Sequence, residues 1–341
     1  MDWNHIPKIE LHCHLDGSVR PETIIELAKK KEIKIPSYNL DEIKEKLIAP
    51  EECDSLDEYL KRFDLPLKVM QDSESINRIT FELLEDAVFE NVKYIEIRFA
   101  PVLHTNGGLS QEEAIKAVEE GILKAEKYFN IEANIIVCCM KHLSEDEAIK
   151  TIKAAKNSNC KKVKAIDLAG GEDEGFADKF INAMDYAYKA GFHITIHAGE
   201  AAGWKNVIDS IKKLHAERIG HGVRIIKNKD AMDYVKENNI MLEICPTSNV
   251  QTKAVENIES HPIKKIIDYG IPVSLNTDNR TVSNTSVGKE ISLCSEVFDM
   301  NTIDFLKIYL DSVKYSFAEE STKEKLISII EKNYPEALKY R

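Results

Sequence analysis

Two histidines, His12 and His14, stand two residues apart near the end of the run Lys-Ile-Glu-Leu-His-Cys-His-Leu-Asp-Gly at 8–17. In an extended strand, residues i and i+2 point to the same side, so these imidazoles can grip one cation while Cys13 faces away into packing. Two ligands are too few, because a zinc site takes three or four from the protein. Further along, His197-Ala-Gly-Glu200, Gly220-His221-Gly222 and Thr277-Asp278-Asn279 each follow or end a short apolar run. Three neutral nitrogens from His12, His14 and His197 and one charged oxygen from Asp278 make a donor set that suits a single zinc ion. Such an ion lowers the pKa of a bound water to about 7 and provides the nucleophile of a hydrolase. Glu200, three residues past His197, stands where a carboxylic acid can protonate a nitrogen above that water. His221, between glycines that allow close approach, can orient the water or deprotonate it. His193 shares a face with His197 but lies about 13 Å further down the strand and takes no part.

These groups need a frame that brings distant segments to one rim. Eight short apolar or β-branched runs, at 9–12, 94–99, 133–138, 163–168, 193–197, 218–221, 241–245 and 272–276, alternate with longer segments of helical period. From the second run to the eighth, starts lie roughly 23 to 39 residues apart, about one strand–helix unit. The alternation predicts an α/β fold, a (β/α)8 barrel of the TIM type, in which catalytic groups sit at the C-terminal ends of the strands. No linker, low-complexity tract or repeat divides the chain, so 1–341 is read as a single domain.

The first interval is the exception. Roughly eighty residues separate the first two runs, with helical segments beginning near Pro21, Asp41, Ser55 and Ser73. Leu56, Tyr59, Leu60 and Phe63 fall at i, i+3, i+4 and i+7, a stripe open to two readings, core packing or a lid over the barrel mouth. Two amphipathic segments at 302–317 and 321–333 are expected to pack on the outside of the barrel. The end of the fourth run, Asp167-Leu168-Ala169-Gly170-Gly171, offers no lysine to bridge two metals, and Lys164 lies too early to reach the rim, so one metal is expected per subunit.

Composition narrows the partners. The 46 Lys and Arg against 58 Asp and Glu give a formal net charge of −12, which argues against nucleic acid and an anionic membrane surface and favours a small neutral or cationic substrate. The start lacks a basic and apolar leader, and no eighteen consecutive apolar residues occur, so a soluble cytoplasmic protein is expected. The 7 cysteines, with no Cys-x-x-Cys pair, fit reduced core thiols.

Together these motifs resemble those of the adenosine deaminases, metal-dependent hydrolases of the amidohydrolase superfamily. The resemblance runs through His12-Cys-His-Leu-Asp-Gly-Ser, Ser55-Leu-Asp-Glu-Tyr-Leu-Lys-Arg-Phe, Ile95-Glu-Ile-Arg-Phe-Ala-Pro, Ile166-Asp-Leu-Ala-Gly, His197-Ala-Gly-Glu, Arg218-Ile-Gly-His-Gly and Ser274-Leu-Asn-Thr-Asp. It implies hydrolytic deamination of adenosine and 2′-deoxyadenosine to inosine and 2′-deoxyinosine with release of ammonia, a step of purine salvage. By the same resemblance His12, His14, His197 and Asp278 hold one zinc ion, and Glu200 donates a proton to purine N1. His221 is implied to orient the attacking water and handle its proton, with Asp278 assisting. The backbone amide of Gly170 is implied to meet purine N3 and Asp16 a ribose hydroxyl, with His14 beside the substrate. Leu56, Tyr59, Leu60 and Phe63 fall on the family's hydrophobic gate.

One position departs from the pattern. Many members carry a second aspartate after the zinc-binding one, and here Asn279 follows Asp278. Purine N7 accepts a hydrogen bond; a carboxamide donates to it directly, whereas an aspartate must first be protonated. Asn279 is therefore expected to serve N7. Three readings compete. Deaminases of free adenine tend to carry Glu where Asp16 stands. An AMP deaminase would need a basic cluster near the rim, which the sequence does not display. A non-catalytic nucleoside-binding barrel would have lost Glu200 or a ligand, and none is lost.

Overall fold

The structure, a computed structural model, describes residues 3–50, 53 and 56–340. Eight parallel strands follow one another in chain order: β1 Lys8–His14, β2 Val92–Phe99, β3 Glu132–Met140, β4 Val163–Ala169, β5 His193–Ala198, β6 Arg218–His221, β7 Met241–Ile244 and β8 Val273–Leu275. The ring closes between the two ends of the chain of strands: the His14 N–H donates to Asp278 O at 2.7 Å, and the Asp278 N–H to His12 O at 3.0 Å. Asn276 Oδ1 adds an acceptor for the Leu11 N–H at 2.7 Å. The expected (β/α)8 barrel is present, and each of the eight expected runs coincides with a strand, those at 241–245 and 272–276 overrunning theirs by a residue at one end and at each end respectively.

Local chemistry starts the outer helices where the sequence suggests. Ser110 and Glu113 form a reciprocal capping box on Gln111–Tyr128, and Ser144 and Asp72 cap Glu145–Asn157 and Ser73–Phe89, satisfying amides that have no partner within the helix. The apolar faces behind those caps, Ile115, Val118, Ile79 and Leu83 among them, share one buried core with Ile95, Ile97, Ile135 and Val137 of the strands. Truncating a buried strand residue such as Ile97 to Ala would cost about 2–5 kcal/mol. Among the described residues no helix is long and apolar enough to cross a membrane.

The inside of the barrel is charged. Arg218 pairs with Glu96 at 2.5 Å and Glu243 at 2.7 Å, and Arg98 with Glu243 at 2.6 Å and Asp167 at 3.0 Å. All of these side chains are buried. Charge survives there only because each guanidinium meets two carboxylates. The ladder ties β2, β4, β6 and β7 together and leads upward to the histidines.

The chain before β2 forms the helices Pro21–Lys30, Leu40–Leu47, Leu56–Leu60, Asp64–Val69 and Ser73–Phe89. The expected helix start at Ser55 lies outside the described residues. The two C-terminal segments are helical at Thr302–Tyr315 and Glu320–Asn333 and pack on the outside of the barrel as expected: Phe305 and Ile308 of the first share the main core with Val273 and Leu275 of β8. Leu306, Tyr309, Leu310, Leu326 and Ile330 also pack on Ile9, Leu11, Tyr94 and Met241, early in β1, β2 and β7, so the pair closes the floor of the barrel as well. Phe317 seals that floor: its N–H donates to Glu96 at 2.6 Å, and its ring lies 3.8 Å from the Arg218 guanidinium and stacks on His193. His193 is thus far from the rim, as its place at the start of β5 predicts.

Candidate active site

At the C-terminal rim, β1 delivers His12 and His14, β5 delivers His197, and the turn after β8 delivers Asp278. Their free atoms face one another. His14 Nε2 lies 3.2 Å from His197 Nε2 and 3.3 Å from Asp278 Oδ1, and His12 Nε2 lies 3.2 Å from that same oxygen. The far nitrogens are committed: His12 Nδ1 is 2.8 Å from Glu243 Oε2, and His197 Nδ1 is 2.8 Å from Asp167 Oδ2. An ionised carboxylate only accepts, so both Nδ1 atoms carry the proton and both Nε2 atoms present a lone pair. His12 Nε2 is buried and has no hydrogen-bond partner. Lone pairs and a carboxylate oxygen aimed at one another repel until a cation sits among them, so this donor set fits a metal ion.

For His14 and His197 the electrostatics agree, whereas at His12 burial and Arg98 are outweighed by Asp278 and Glu243, which raise its pKa. Burial drives His197 down to about 3 and His14 well below the ordinary imidazole value, which leaves both neutral, as ligation requires. Ser248 donates to Asp278 Oδ2 at 2.6 Å, which leaves Oδ1 to the histidines. Asp278 and His221 both adopt left-handed backbone, with φ of 61° and 62°, a conformation that costs a non-glycine residue of order 1 kcal/mol and is held by its surroundings.

Ligand atoms of His12, His197, His221 and Asp278 lie within 4.8 Å of one another, so His221 also borders the centre. Its bonds give it another role. The Ile263 N–H donates to His261 Nδ1 at 3.2 Å, His261 Nε2 lies 3.3 Å from Asn249 Oδ1, and Asn249 Nδ2 lies 3.0 Å from His221 Nδ1. A backbone N–H anchors this relay, so each partner's direction follows: His261 donates from Nε2, Asn249 donates from its amide, and His221 accepts at Nδ1. The neutral His221 ring therefore carries its proton on Nε2, 3.6 Å from Glu200 Oε2.

Above these groups lies a cavity of about 260 Å³. Every candidate site residue named from the sequence lines it except His12, which is fully buried. Asp16 is buried with Oδ1 unpartnered, and burial lifts its carboxyl to about 7. Gly170, at φ 88°, turns the chain after β4 along one wall. Leu56, Tyr59, Leu60 and Phe63 all border the cavity, and Tyr59, Leu56 and Phe63 also pack on Val282 of the β8 turn. Tyr59 Oη is 2.6 Å from Ser283 Oγ and accepts from Asn279 Nδ2 at 2.8 Å. One amide hydrogen of Asn279 is thus taken, while the other remains. A Cβ on Gly17 would fall 1.9 Å from Asn279 Oδ1, so this close approach needs glycine.

Sequence reasoning missed the supporting groups, namely Asp167 and Glu243 behind the histidines, Ser248, Asn249 and His261 after β7, and Glu172 after β4. It also missed a basic cluster. Lys141, Arg224 and Lys253, from three separate loops, line a second cavity that shares Leu56, His142 and Gly171 with the first. The cluster does not form a phosphate cradle: Lys141 Nζ donates to His197 O at 2.7 Å, Arg224 donates to the Glu200 and Lys253 carbonyls, and Glu172 and Asp173 share the space.

A (β/α)8 barrel with a His/His/His/Asp cluster at its C-terminal rim defines an enzyme of the amidohydrolase type. A sequence model of the family described as adenosine deaminase matches residues 7–333. An adenosine deaminase of Clostridium perfringens is 51% identical over 331 residues, 97% of this chain and 100% of the relative. Among solved structures, the adenine deaminase of Arthrobacter aurescens matches with a TM-score of 0.89 at 26% identity, over 94% of this chain and 97% of that one. An amidohydrolase of Burkholderia ambifaria with bound Zn matches at 0.86 and 26% identity, over 99% and 92%. The chain belongs to the adenosine deaminase family and is a hydrolytic deaminase.

Proposed function

We propose that this enzyme converts adenosine and 2′-deoxyadenosine to inosine and 2′-deoxyinosine plus ammonia, with one zinc ion held by His12, His14, His197 and Asp278. The observation that carries the reading is the set of inward-facing lone pairs and Asp278 Oδ1 bordering a cavity whose polar lining includes Glu200, His221, Asp16 and Asn279. The adenosine deaminase relative at 51% identity supports the nucleoside, and the Zn-bound neighbour supports the metal. When bound, the metal lowers the pKa of water to about 7.

The chain's own residues supply the rest. Asp16 accepts from a ribose hydroxyl, the Gly170 N–H meets purine N3, and Glu200 gives its proton to N1, which draws electrons from C6. His221, with its proton kept on Nε2 by Asn249, donates to the attacking water and orients it. Asp278 accepts one water proton as the water oxygen bonds to C6 and passes it to the amine, which leaves as ammonia when the C6–N bond breaks. The hydroxyl proton left at C6 restores Glu200. Asn279 reaches N7 with its remaining N–H. The gate of Leu56, Tyr59, Leu60 and Phe63 excludes bulk water, which strengthens every one of these contacts. Purine salvage in the cytoplasm is the setting this chemistry suits.

The test is to follow the ultraviolet change of purified enzyme with adenosine, 2′-deoxyadenosine and adenine. Turnover of both nucleosides and not of adenine is expected; turnover of adenine alone would overturn the substrate. Glu200→Gln should lower kcat by about 10²–10⁴-fold, and full activity in that variant would overturn its role.

A further inference from the structure

The turn after β5 carries Glu200, and four consecutive backbone N–H groups of that turn end on one side chain. Glu172 Oε1 accepts from the Gly199 N–H at 2.8 Å, and Oε2 from the N–H groups of Glu200, Ala201 and Ala202 at 2.9, 2.9 and 3.0 Å. A fifth donor, Asn206 Nδ2 in the first turn of the helix Trp204–Leu214, reaches Oε1 at 3.0 Å. Arg224 Nε holds the same turn from its carbonyl side, donating to Glu200 O at 2.5 Å. Glu172 itself directly follows Gly170 and Gly171, which line the cavity wall. Burial would raise the Glu172 carboxyl, but Lys141 and these donors hold it below the usual carboxylate range.

We propose that Glu172 is the positioning residue for Glu200: its carboxylate pins the turn after β5 to the turn after β4 and so sets where Glu200 meets the base. The inference rests on Glu200 acting on the substrate. Both oxygens of Glu172 are required. A glutamine of the same shape offers one acceptor and one NH2, so in either orientation a donor faces at least one of the backbone N–H groups. Conservative shape therefore does not rescue the site, and Glu172→Gln should do at least as much harm as Glu172→Ala, whose space water can fill.

A misplacement of about 1 Å at a reacting group costs on the order of 10²-fold in rate. The experiment measures kcat, KM and bound metal for Glu172→Gln, Glu172→Ala, Glu200→Gln and the double variant Glu172→Gln/Glu200→Gln. Each Glu172 change should lower kcat by about 10²-fold with metal content unchanged. In the Glu200→Gln background Glu172→Gln should add nothing, because both changes act through one group. A Glu172→Gln enzyme with kcat within about twofold of the wild type, losses that multiply in the double variant, or a parallel loss of metal would each overturn the inference. If Glu172→Gln does not fold, Asn206→Ala removes one of the five donors and is read against Glu200→Gln in the same way: a loss that vanishes in that background supports the link, and no loss or a multiplying one refutes it. Full activity in Glu200→Gln alone would overturn both the reading of Glu200 and this inference, whereas the outcomes above overturn only the part given to Glu172.

Discussion

Asp167→Asn exchanges one oxygen for NH2 behind His197 and leaves the shape alone. In the wild type Asp167 Oδ2 is 2.8 Å from His197 Nδ1 and 3.0 Å from Arg98 Nη1, and all three side chains are buried. The carboxylate accepts from both partners, which keeps the imidazole proton on Nδ1 and the lone pair on Nε2. The carboxamide has a single acceptor oxygen. If that oxygen takes the Oδ2 place and serves Arg98, the NH2 takes the Oδ1 place, 3.1 Å from Nδ1, where its hydrogens oppose the Nδ1 proton that the carboxylate charge had held, and the tautomer whose proton points at the metal position gains. Loss of such an outer partner lowers metal affinity by about 10–100-fold, or ~1.4–2.7 kcal/mol. Arg98 also keeps only Glu243 as a charged partner, and the metal-free protein should lose about 1–3 kcal/mol. Competition with a chromogenic chelator gives the zinc dissociation constant, and denaturant unfolding of the metal-free protein gives the stability. A dissociation constant within about twofold of the wild type would refute the orienting role, whatever happens to stability.

Burial lifts the Glu290 carboxyl to about 7 against the bonds from Thr247 and Thr285, so the folded protein keeps a proton that the unfolded chain releases near pH ~4.3. That stabilisation is complete below the unfolded value and is lost as pH rises through about 7, a change of about 4 kcal/mol; between about pH 5 and 8 the unfolding free energy should fall less steeply in Glu290→Gln, and parallel curves would contradict this. Tyr59→Phe removes the bonds to Ser283 and Asn279, each worth about 1 kcal/mol, and should raise KM for adenosine about five- to tenfold with kcat within about twofold. An unchanged KM would show that the hydroxyl does not latch the gate. 7-Deazaadenosine lacks the N7 acceptor and should show kcat/KM at least about tenfold below adenosine, a gap that Asn279→Ala narrows; equal use of the two nucleosides by the wild type would remove Asn279 from that role.

The candidate residues that meet at the rim were legible because their pattern is local. His12-x-His14 fixes two imidazoles on one strand face, and the barrel places every strand end on one rim, so His197, His221 and Asp278 needed only the alternation of strands and helices. The supporting charges follow a pattern that is also local but easily passed over. Glu96 and Arg98 in Tyr-Ile-Glu-Ile-Arg-Phe, Asp167 in Val-Lys-Ala-Ile-Asp-Leu and Glu243 in Met-Leu-Glu-Ile sit inside apolar strands, where period two sends them inward. A charge there must find a partner, and that requirement could have flagged all four. Which partner each finds depends on register between strands far apart in sequence, and no single run carries it. Glu172 had no such signal: in Gly-Gly-Glu-Asp-Glu-Gly it reads as a solvated acidic turn, and only the folded backbone brings the N–H groups of 199–202 to it. The C-terminal helices pack outside the barrel as their amphipathic pattern predicts, but that pattern does not say that they close its floor as well.

Adenosine turnover by metal-stripped enzyme, measured as zinc is added back in fractions of an equivalent, tests the central claim most directly. Negligible activity without metal is expected, rising in proportion to zinc and levelling at one equivalent per chain. Full activity in the stripped enzyme, or a rise that continues to two equivalents, would contradict a single metal held by His12, His14, His197 and Asp278.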